Sequence, residues 1–355
     1  MVDDETVRIY EAGAGEWAVR RRPRLRGAAQ AFAATVPAHE LRVDLGCGPG
    51  SYAPDLGRPL VALDAAGAML QLTRRASPDA LCVQADLERL PFVRGAFGGA
   101  WARASYLHVR RVDLPLALAE LHRVTRVGAP IAVSMKRGEY EGAALPDDDF
   151  PGRFFACWEP RELASVVTGA GFDLEAHETT DEWVHLRVRR ARTLPDFVGG
   201  GMALLICGLN PSPYAADAGV GFARPGNRFW PAALAAGLVT RDRDPWAALR
   251  DHRVGMTDLV KRVTVGAKEL TRAEYHSGAE RVEELVEWLR PGAMCFVGLA
   301  GYRAAVERTA AAGLQARTFG GVPAYLMPNT SGLNARVPLS ELADHLLAAR
   351  GLAGP

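Results

Sequence analysis

The chain has 355 residues, 48% hydrophobic and 23% charged, with 42 basic and 41 acidic side chains. That length is generous for one domain and natural for two, and the apolar-to-charged balance describes a globular fold with ample core. A formal net charge of +1 excludes a global basic field, so any nucleic-acid affinity has to come from local clustering.

Five cysteines, Cys47, Cys82, Cys157, Cys207 and Cys295, lie far apart and mostly inside apolar runs. No CxxC pair occurs, so zinc and iron–sulfur sites are not expected, and a reducing cytoplasm fits. The opening residues, MVDDETVRIYEAG, are acidic and lack the apolar stretch of a signal peptide. No run reaches the roughly 18 apolar residues of a membrane span. Ala, Gly and Arg richness points to a GC-rich bacterial genome, and the cysteine usage to a cytoplasmic protein.

In chain order, residues 1–40 read as helix and loop, with Arg20–Val36 a basic turn running into a helix. A short strand, Leu41–Leu45, then enters Gly46-Cys47-Gly48-Pro49-Gly50, where glycines let the backbone approach a ligand and adopt positive φ. Asp44, just before them, suits a cationic ligand better than a pyrophosphate, and no GKS/T follows. A second strand, Leu60–Asp64, ends in a carboxylate placed to bind ribose hydroxyls. A third, Leu81–Ala85, delivers Asp86-Leu87, whose carboxylate suits the amino group of adenine. Three strands ending in Asp at one sheet edge point to an adenine-bearing cofactor.

This pattern resembles the class I S-adenosylmethionine-dependent methyltransferases. Their first motif is matched by Asp44, Gly46, Gly48 and Gly50, the ribose acid by Asp64 and the adenine-side acid by Asp86 with Leu87. The likeness continues through a strand near Phe97–Tyr106, a helix over Leu114–Val127, the strand of Gly128–Ser134 and an antiparallel hairpin ending near Arg190. It implies a Rossmann-like seven-stranded sheet binding S-adenosyl-L-methionine. His108, Tyr106 and Lys136-Arg137 fall near the expected cleft mouth. No DPPY or NPPF tetrad identifies the methyl acceptor, which stays unknown.

Residues 193–200 are rich in Pro and Gly and read as a linker between a domain of residues 1–192 and one of residues 201–355. The second domain opens on the buried strand Ala203–Cys207 and the run GLNPSPYAADAGVGFARPGNRFW, Gly208–Trp230. Asn210 would stand at the carboxyl end of that strand, where open α/β sheets keep their chemistry. Phe222 sits in a loop stiffened by Gly221, Pro225 and Gly226. A carboxamide that holds a water and an aromatic face that stacks a planar ring are what a pocket for an everted base requires. Helices over Trp230–Gly237, Arg281–Arg290, Tyr302–Thr309 and Leu339–Ala349 alternate with strands over Ala293–Leu299 and Ala324–Met327, giving a three-layer α/β/α domain.

The segment resembles the first motif of the mismatch-specific uracil/thymine-DNA glycosylase family, usually written GINPG and followed by an aromatic and a PGNRFW-like run. GMTDLVKRVTVGAKELT (Gly255–Thr271) and MPNTSGL (Met327–Leu333) are two further collinear matches. The resemblance implies a uracil-DNA-glycosylase-like domain that needs no cofactor and acts on double-stranded DNA with a mismatched or damaged base. Asn210 would be catalytic. Gly208, Leu209, Ser212, Phe222 and Asn329 would form the base pocket, Gly332 and Leu333 a wedge in the duplex, and Arg224, Arg228 and Arg336 contacts to phosphate. Asp258 is the one acid of these motifs and a candidate helper base. Ser212-Pro213 replaces the family's glycine, which leaves the choice among uracil, thymine and an etheno-adduct open. Two other readings fit: a methyltransferase whose second half only docks DNA, and a lesion sensor without catalysis.

Overall fold

The protein is described by a computed structural model covering residues 3–146, 148–332, 334 and 336–354. The chain forms two compact units, one ending at Ala191 and the other beginning at Arg192. Among the described residues, no helix is long and apolar enough to cross a membrane.

The first unit is built on a seven-stranded sheet. Its strands are β1 (Arg42–Leu45), β2 (Leu60–Asp64), β3 (Leu81–Gln84), β4 (Gly99–Arg103), β5 (Pro130–Lys136), β6 (Phe172–Thr179) and β7 (Trp183–Arg190). Their order is β3-β2-β1-β4-β5-β7-β6. The first five run parallel, and β7 lies antiparallel to both β5 and β6. β1 is buried along its whole length, as expected of a central parallel strand covered on both faces. β7 instead alternates, with Val184, Leu186, Val188 and Arg190 buried. Helices α1 (Asp4–Arg20), α2 (Arg26–Thr35), α3 (Gly67–Ala76), α4 (Leu114–Val124) and α5 (Pro160–Gly169) complete the unit. Strand order reverses beside β1, which makes its carboxyl end a topological switch point.

The second unit holds β8 (Leu204–Gly208), β9 (Val254–Asp258), β10 (Ala293–Val297), β11 (Gly313–Leu314) and β12 (Ala324–Met327). The order is β9-β8-β10-β12-β11, parallel except for the short β11. Its helices are α6 (Pro213–Ala218), α7 (Phe229–Ala235), α8 (Pro245–His252), α9 (Arg272–Leu289), α10 (Leu299–Ala305) and α11 (Leu339–Gly351). Both units are thus of the α/β class. Helix α9 starts well before the expected Arg281, because Thr271 accepts from the Glu274 amide while Glu274 reaches back to the Thr271 amide.

Residues 193–200 differ from the expected linker. Thr193, Leu194, Asp196, Phe197 and Val198 are buried in the second unit. Phe197 exchanges both backbone hydrogen bonds with Met256 of β9, at 2.9 Å each. Three apolar side chains and one paired carboxylate outweigh the Pro and Gly punctuation.

Candidate functional sites

In the second unit, β8, β9, β10 and β12 deliver their carboxyl ends to one edge. Asn210 follows β8 directly. Its side-chain Nδ2 donates to the Arg262 carbonyl (2.9 Å) and to Thr264 Oγ1 (2.8 Å). A backbone carbonyl can only accept, so the orientation is fixed: Nδ2 faces the 262–264 loop and Oδ1 is left as the acceptor. The Thr264 amide returns a bond to the Pro211 carbonyl at 3.3 Å, closing the loop against the Asn210 turn.

Gly208 shows what converges beside that turn. A Cβ there would sit 2.4 Å from Asp258 Oδ1 and 3.3 Å from Phe222 Cζ, so only glycine lets the carboxylate and the ring meet. Phe222 is half-buried and holds a left-handed backbone, φ +58°, which costs a bulky residue about 1–3 kcal/mol. Its ring stacks on the fully buried Phe229, centroids 4.3 Å apart and planes 23° from parallel. The Trp230 indole N–H ties the Gly221 carbonyl at 2.8 Å, fixing the loop from behind.

Asp258 closes β9. Burial pushes its carboxyl up to about 6, with Lys261 pulling downward, Asp196 upward and Arg281 downward. Beneath it lies Asp196, 2% exposed, whose carboxylate accepts from Lys261 Nζ (2.8 Å), Arg281 Nη1 (2.7 Å) and Thr257 Oγ1 (2.7 Å). Burial alone would raise Asp196, but Arg281 and Lys261 hold it below the ordinary carboxylate range. Arg281 Nη2 also donates to the Asp258 carbonyl at 2.6 Å, so one buried ion cluster anchors the end of β9.

The other residues singled out from the sequence divide. Asn329 follows β12 and is exposed; its Oδ1 accepts the Ser331 amide at 2.7 Å, which orients the carboxamide. Gly332 approaches the Gly226 turn, where a Cβ would lie 2.7 Å from the Gly226 carbonyl. Arg224 and Arg336 are exposed. Leu333 lies outside the described residues. Arg228 is not an outward cation: its guanidinium donates to the Asn334 and Val337 carbonyls and its amide to the Thr330 carbonyl, so it holds the 330–337 loop. Ser212 caps α6, accepting the Ala215 amide at 3.2 Å. Leu209 bonds Val260 through its carbonyl and packs beside Gly301.

In the first unit, Asp44, Asp64 and Asp86 stand on or just after the adjacent strands β1, β2 and β3. Gly46, Gly48 and Gly50 all take positive φ in the turn after β1. At Gly46 a Cβ would lie 2.4 Å from Ser105 Cβ, a close approach that glycine alone allows. Asp64 binds this turn, Oδ2 accepting the Gly48 amide (2.8 Å) and Oδ1 the Ala66 amide (2.9 Å). Burial pushes it up to about 6 despite those bonds. Asp44 is 2% exposed and, among the described residues, its Oδ2 has no hydrogen-bond partner. Burial, and then the nearby Asp64, push its carboxyl up to about 8. Asp86 Oδ1 accepts the Glu88 amide at 2.9 Å, and Leu87 is buried.

Helix α1 lies over this cradle. Glu11 accepts the Ala68 amide at the start of α3, and Trp17 Nε1 lies 4.0 Å from where a Gly48 Cβ would be. His108 and Tyr106 are buried, not open at a cleft mouth. His108 Nδ1 donates to the Phe154 carbonyl (2.6 Å), so Nε2 accepts the Tyr10 hydroxyl (2.8 Å), and burial lowers the imidazole to about 4.

Each unit contains a stretch that matches a known family. Residues 43–133 match the family described as methyltransferase domain, and residues 195–347 match the uracil DNA glycosylase superfamily. The chain joins a methyltransferase domain to a uracil-DNA-glycosylase superfamily domain. Solved structures similar to part of it include S-adenosylmethionine-dependent methyltransferases from three organisms. That from Methanosarcina mazei is 15% identical, covering 45% of this chain and 97% of its own, with a TM-score of 0.41. The protein from Thermotoga maritima is 18% identical over 52% and 99%, TM-score 0.40. The Mesorhizobium loti enzyme is 21% identical over 47% and 100%, TM-score 0.38.

Sequence reasoning missed two residues of the glycosylase-superfamily domain. Thr264 orients the Asn210 carboxamide; its signal was its place inside GMTDLVKRVTVGAKELT. Asp196 was hidden in the stretch read as a linker, although an acid flanked by Leu194, Phe197 and Val198 is the composition of a buried ion pair. In the methyltransferase domain a helix within residues 1–40 was expected, but not its contacts, because nothing local ties Tyr10 to His108.

Proposed function

We infer that the second domain hydrolyses the N-glycosidic bond of uracil, or of thymine or a related lesion, mispaired with guanine in DNA. The pinned Asn210 side chain beside the Gly208–Phe222–Asp258 junction carries this reading. The target nucleotide rotates out of the stack, most cheaply from a mismatch, and its base lies on the outer face of Phe222. Asn210 Oδ1 positions the water that attacks C1′, because Thr264 and Arg262 fix the amide end. The C1′–N1 bond breaks with its electron pair leaving on the base, where backbone amides near Leu209 and Asn210 stabilise the anion. Asp258, ionised above about pH 6, accepts the water proton. Asn329 offers Nδ2 to the base edge, Gly332-Leu333 fills the gap in the duplex, and Arg224 and Arg336 meet phosphates.

The first domain, on the same reasoning, holds S-adenosylmethionine. A buried carboxylate oxygen without a partner, on Asp44, fits a cationic ligand, and Asp64 and Asp86 offer acceptors to a ribose and an adenine. When bound, that cofactor supplies a methyl group on a sulfonium. Asp44 answers its positive charge, and α1 with Trp17 keeps water from the turn of Gly46–Gly50.

The test of the repair activity is a duplex carrying one G·U pair, incubated with the full chain and then treated with alkali. Cleavage at the uracil is expected, and Asn210→Ala lowers the rate by about 100-fold or more. An intact strand with the wild type, or undiminished cleavage by the variant, overturns the assignment.

A further inference from the structure

Two cations at the carboxyl edge of the first sheet belong to neither the cofactor cradle nor a salt bridge. Arg103 closes β4 and Lys136 closes β5, while Trp183 opens β7 opposite Lys136. Arg103 pairs with Ser134 across the β4–β5 ladder, and residues two apart on a strand share a face, so Arg103, Ser134 and Lys136 project together. Trp183 and His185 join them from β7. The Arg103 guanidinium lies 4.7 Å from the Trp183 ring centroid and Lys136 Nζ 5.8 Å from it. Arg103 Nε also donates to the Tyr52 hydroxyl at 3.1 Å. Tyr52 belongs to the turn that follows Gly50, so this cluster borders the cradle where a methyl acceptor has to enter.

The charge balance sets the cluster apart. Among the described residues neither Arg103 nor Lys136 has a carboxylate partner, whereas the adjacent Arg137 pairs with Glu159 at 3.3 Å. Arg103 Nη1 is buried with no acceptor. Buried donors in folded proteins usually find partners, so an unsatisfied guanidinium N–H at the edge of this cluster calls for one, such as a water or an anion. The Tyr52 oxygen receives the Arg103 N–H, which frees its own O–H to donate outward. His185 adds no counter-charge: Nδ1 meets Ser134 Oγ at 2.9 Å, and burial, then Arg103, lowers its pKa. Glu178, opposite His185 in the ladder, is exposed and bonds neither cation.

We propose that Arg103 and Lys136, with the Tyr52 hydroxyl, form an oxyanion site that anchors a carboxylate or phosphate of the methyl acceptor. A forked guanidinium beside a point ammonium is the donor set that grips such groups. The part played by the acceptor rests on the methyltransferase reading; the anion site itself does not.

Calorimetry on the full chain separates the two. S-adenosylhomocysteine is titrated first, then phenyl phosphate, benzoate and neutral benzyl alcohol are titrated into the loaded chain, or into the free chain if the nucleoside does not bind. Binding of at least one anion and not of the alcohol is expected, with the tighter anion telling phosphate from carboxylate. Arg103→Met and Lys136→Met each weaken it by about tenfold or more. Arg103→Lys, which keeps the charge, binds more tightly than Arg103→Met, and unchanged S-adenosylhomocysteine affinity shows that the variants fold. Absence of anion binding, equal binding of the alcohol, or variants within twofold of the wild type overturns the site. Anion binding without nucleoside binding keeps the site and removes its role as acceptor anchor.

Discussion

Replacing Asp44 with asparagine isolates the charge that the methyltransferase cradle leaves unanswered. Burial holds the native carboxyl protonated up to about pH 8, while in the unfolded chain it ionises near its ordinary value of 3.8. The folded pKa is the higher one, so this contribution to stability is complete in acid and is lost as pH climbs towards 8. Across that window each pH unit removes on the order of 1 kcal/mol, or roughly 3 kcal/mol at most between pH 5 and pH 7. Asp64 and Asp258 add slopes of the same sign, and they do so in both proteins. The difference between wild type and Asp44→Asn is therefore the quantity to read. Urea titrations followed by hydrogen exchange in peptides spanning β1 and β2 report the first unit apart from the second. The variant should lose the Asp44 share of the pH slope, which dominates above about pH 6, and be the more stable protein at pH 7. In the wild type a bound sulfonium should draw a proton off Asp44, so S-adenosylmethionine affinity rises between pH 6 and pH 7, where the cofactor's amino group stays charged. Asp44→Asn should bind more weakly and without that rise. Equal stability slopes in the two proteins would refute the assignment of a buried, uncompensated carboxyl.

Three further outcomes are expected. Asp196→Asn leaves Lys261 and Arg281 facing each other without a counter-ion and should cost the second unit about 3–5 kcal/mol in urea; a loss under 1 kcal/mol contradicts the ion cluster. Thr264→Val removes one of the two acceptors of the Asn210 amide and leaves the Arg262 carbonyl, and uracil excision should fall by about fivefold to tenfold with DNA affinity unchanged. Wild-type excision should rise with pH through about 6 as Asp258 ionises, and Asp258→Asn should be slower and flat over that range. A wild-type rate that falls through the same pH would make Asp258 a proton donor.

Much of the fold was legible because its information is local. Leu204–Gly208 and Ala293–Val297 are unbroken apolar runs between glycines and turns, so their strands and their shared edge follow from composition. The Gly46–Gly50 turn between two Asp-ended strands was equally plain. What escaped depends on contacts distant in sequence. Asp196 meets Lys261 and Arg281 across 65 and 85 positions, and no local pattern announces that. Arg228 looked like a phosphate ligand because an exposed-looking Arg in a loop says nothing of the carbonyls at 334 and 337. The first turns of α9 were obscured by His276-Ser277-Gly278, where Gly278 is needed because a Cβ would sit 2.2 Å from the Leu259 carbonyl. The backbone twist at Phe222 likewise belongs to the assembled pocket.

The buried Asp196 moves the seam of this two-part protein. Severing the chain at Gly201, where glycines invite the cut, would discard the counter-ion of Lys261 and Arg281 together with the Phe197 bridge to β9. Release of an intact second domain by protease or by gene dissection therefore has to occur upstream of Arg192. An insertion at 193–200 would strike the foundation of one domain, not the space between two.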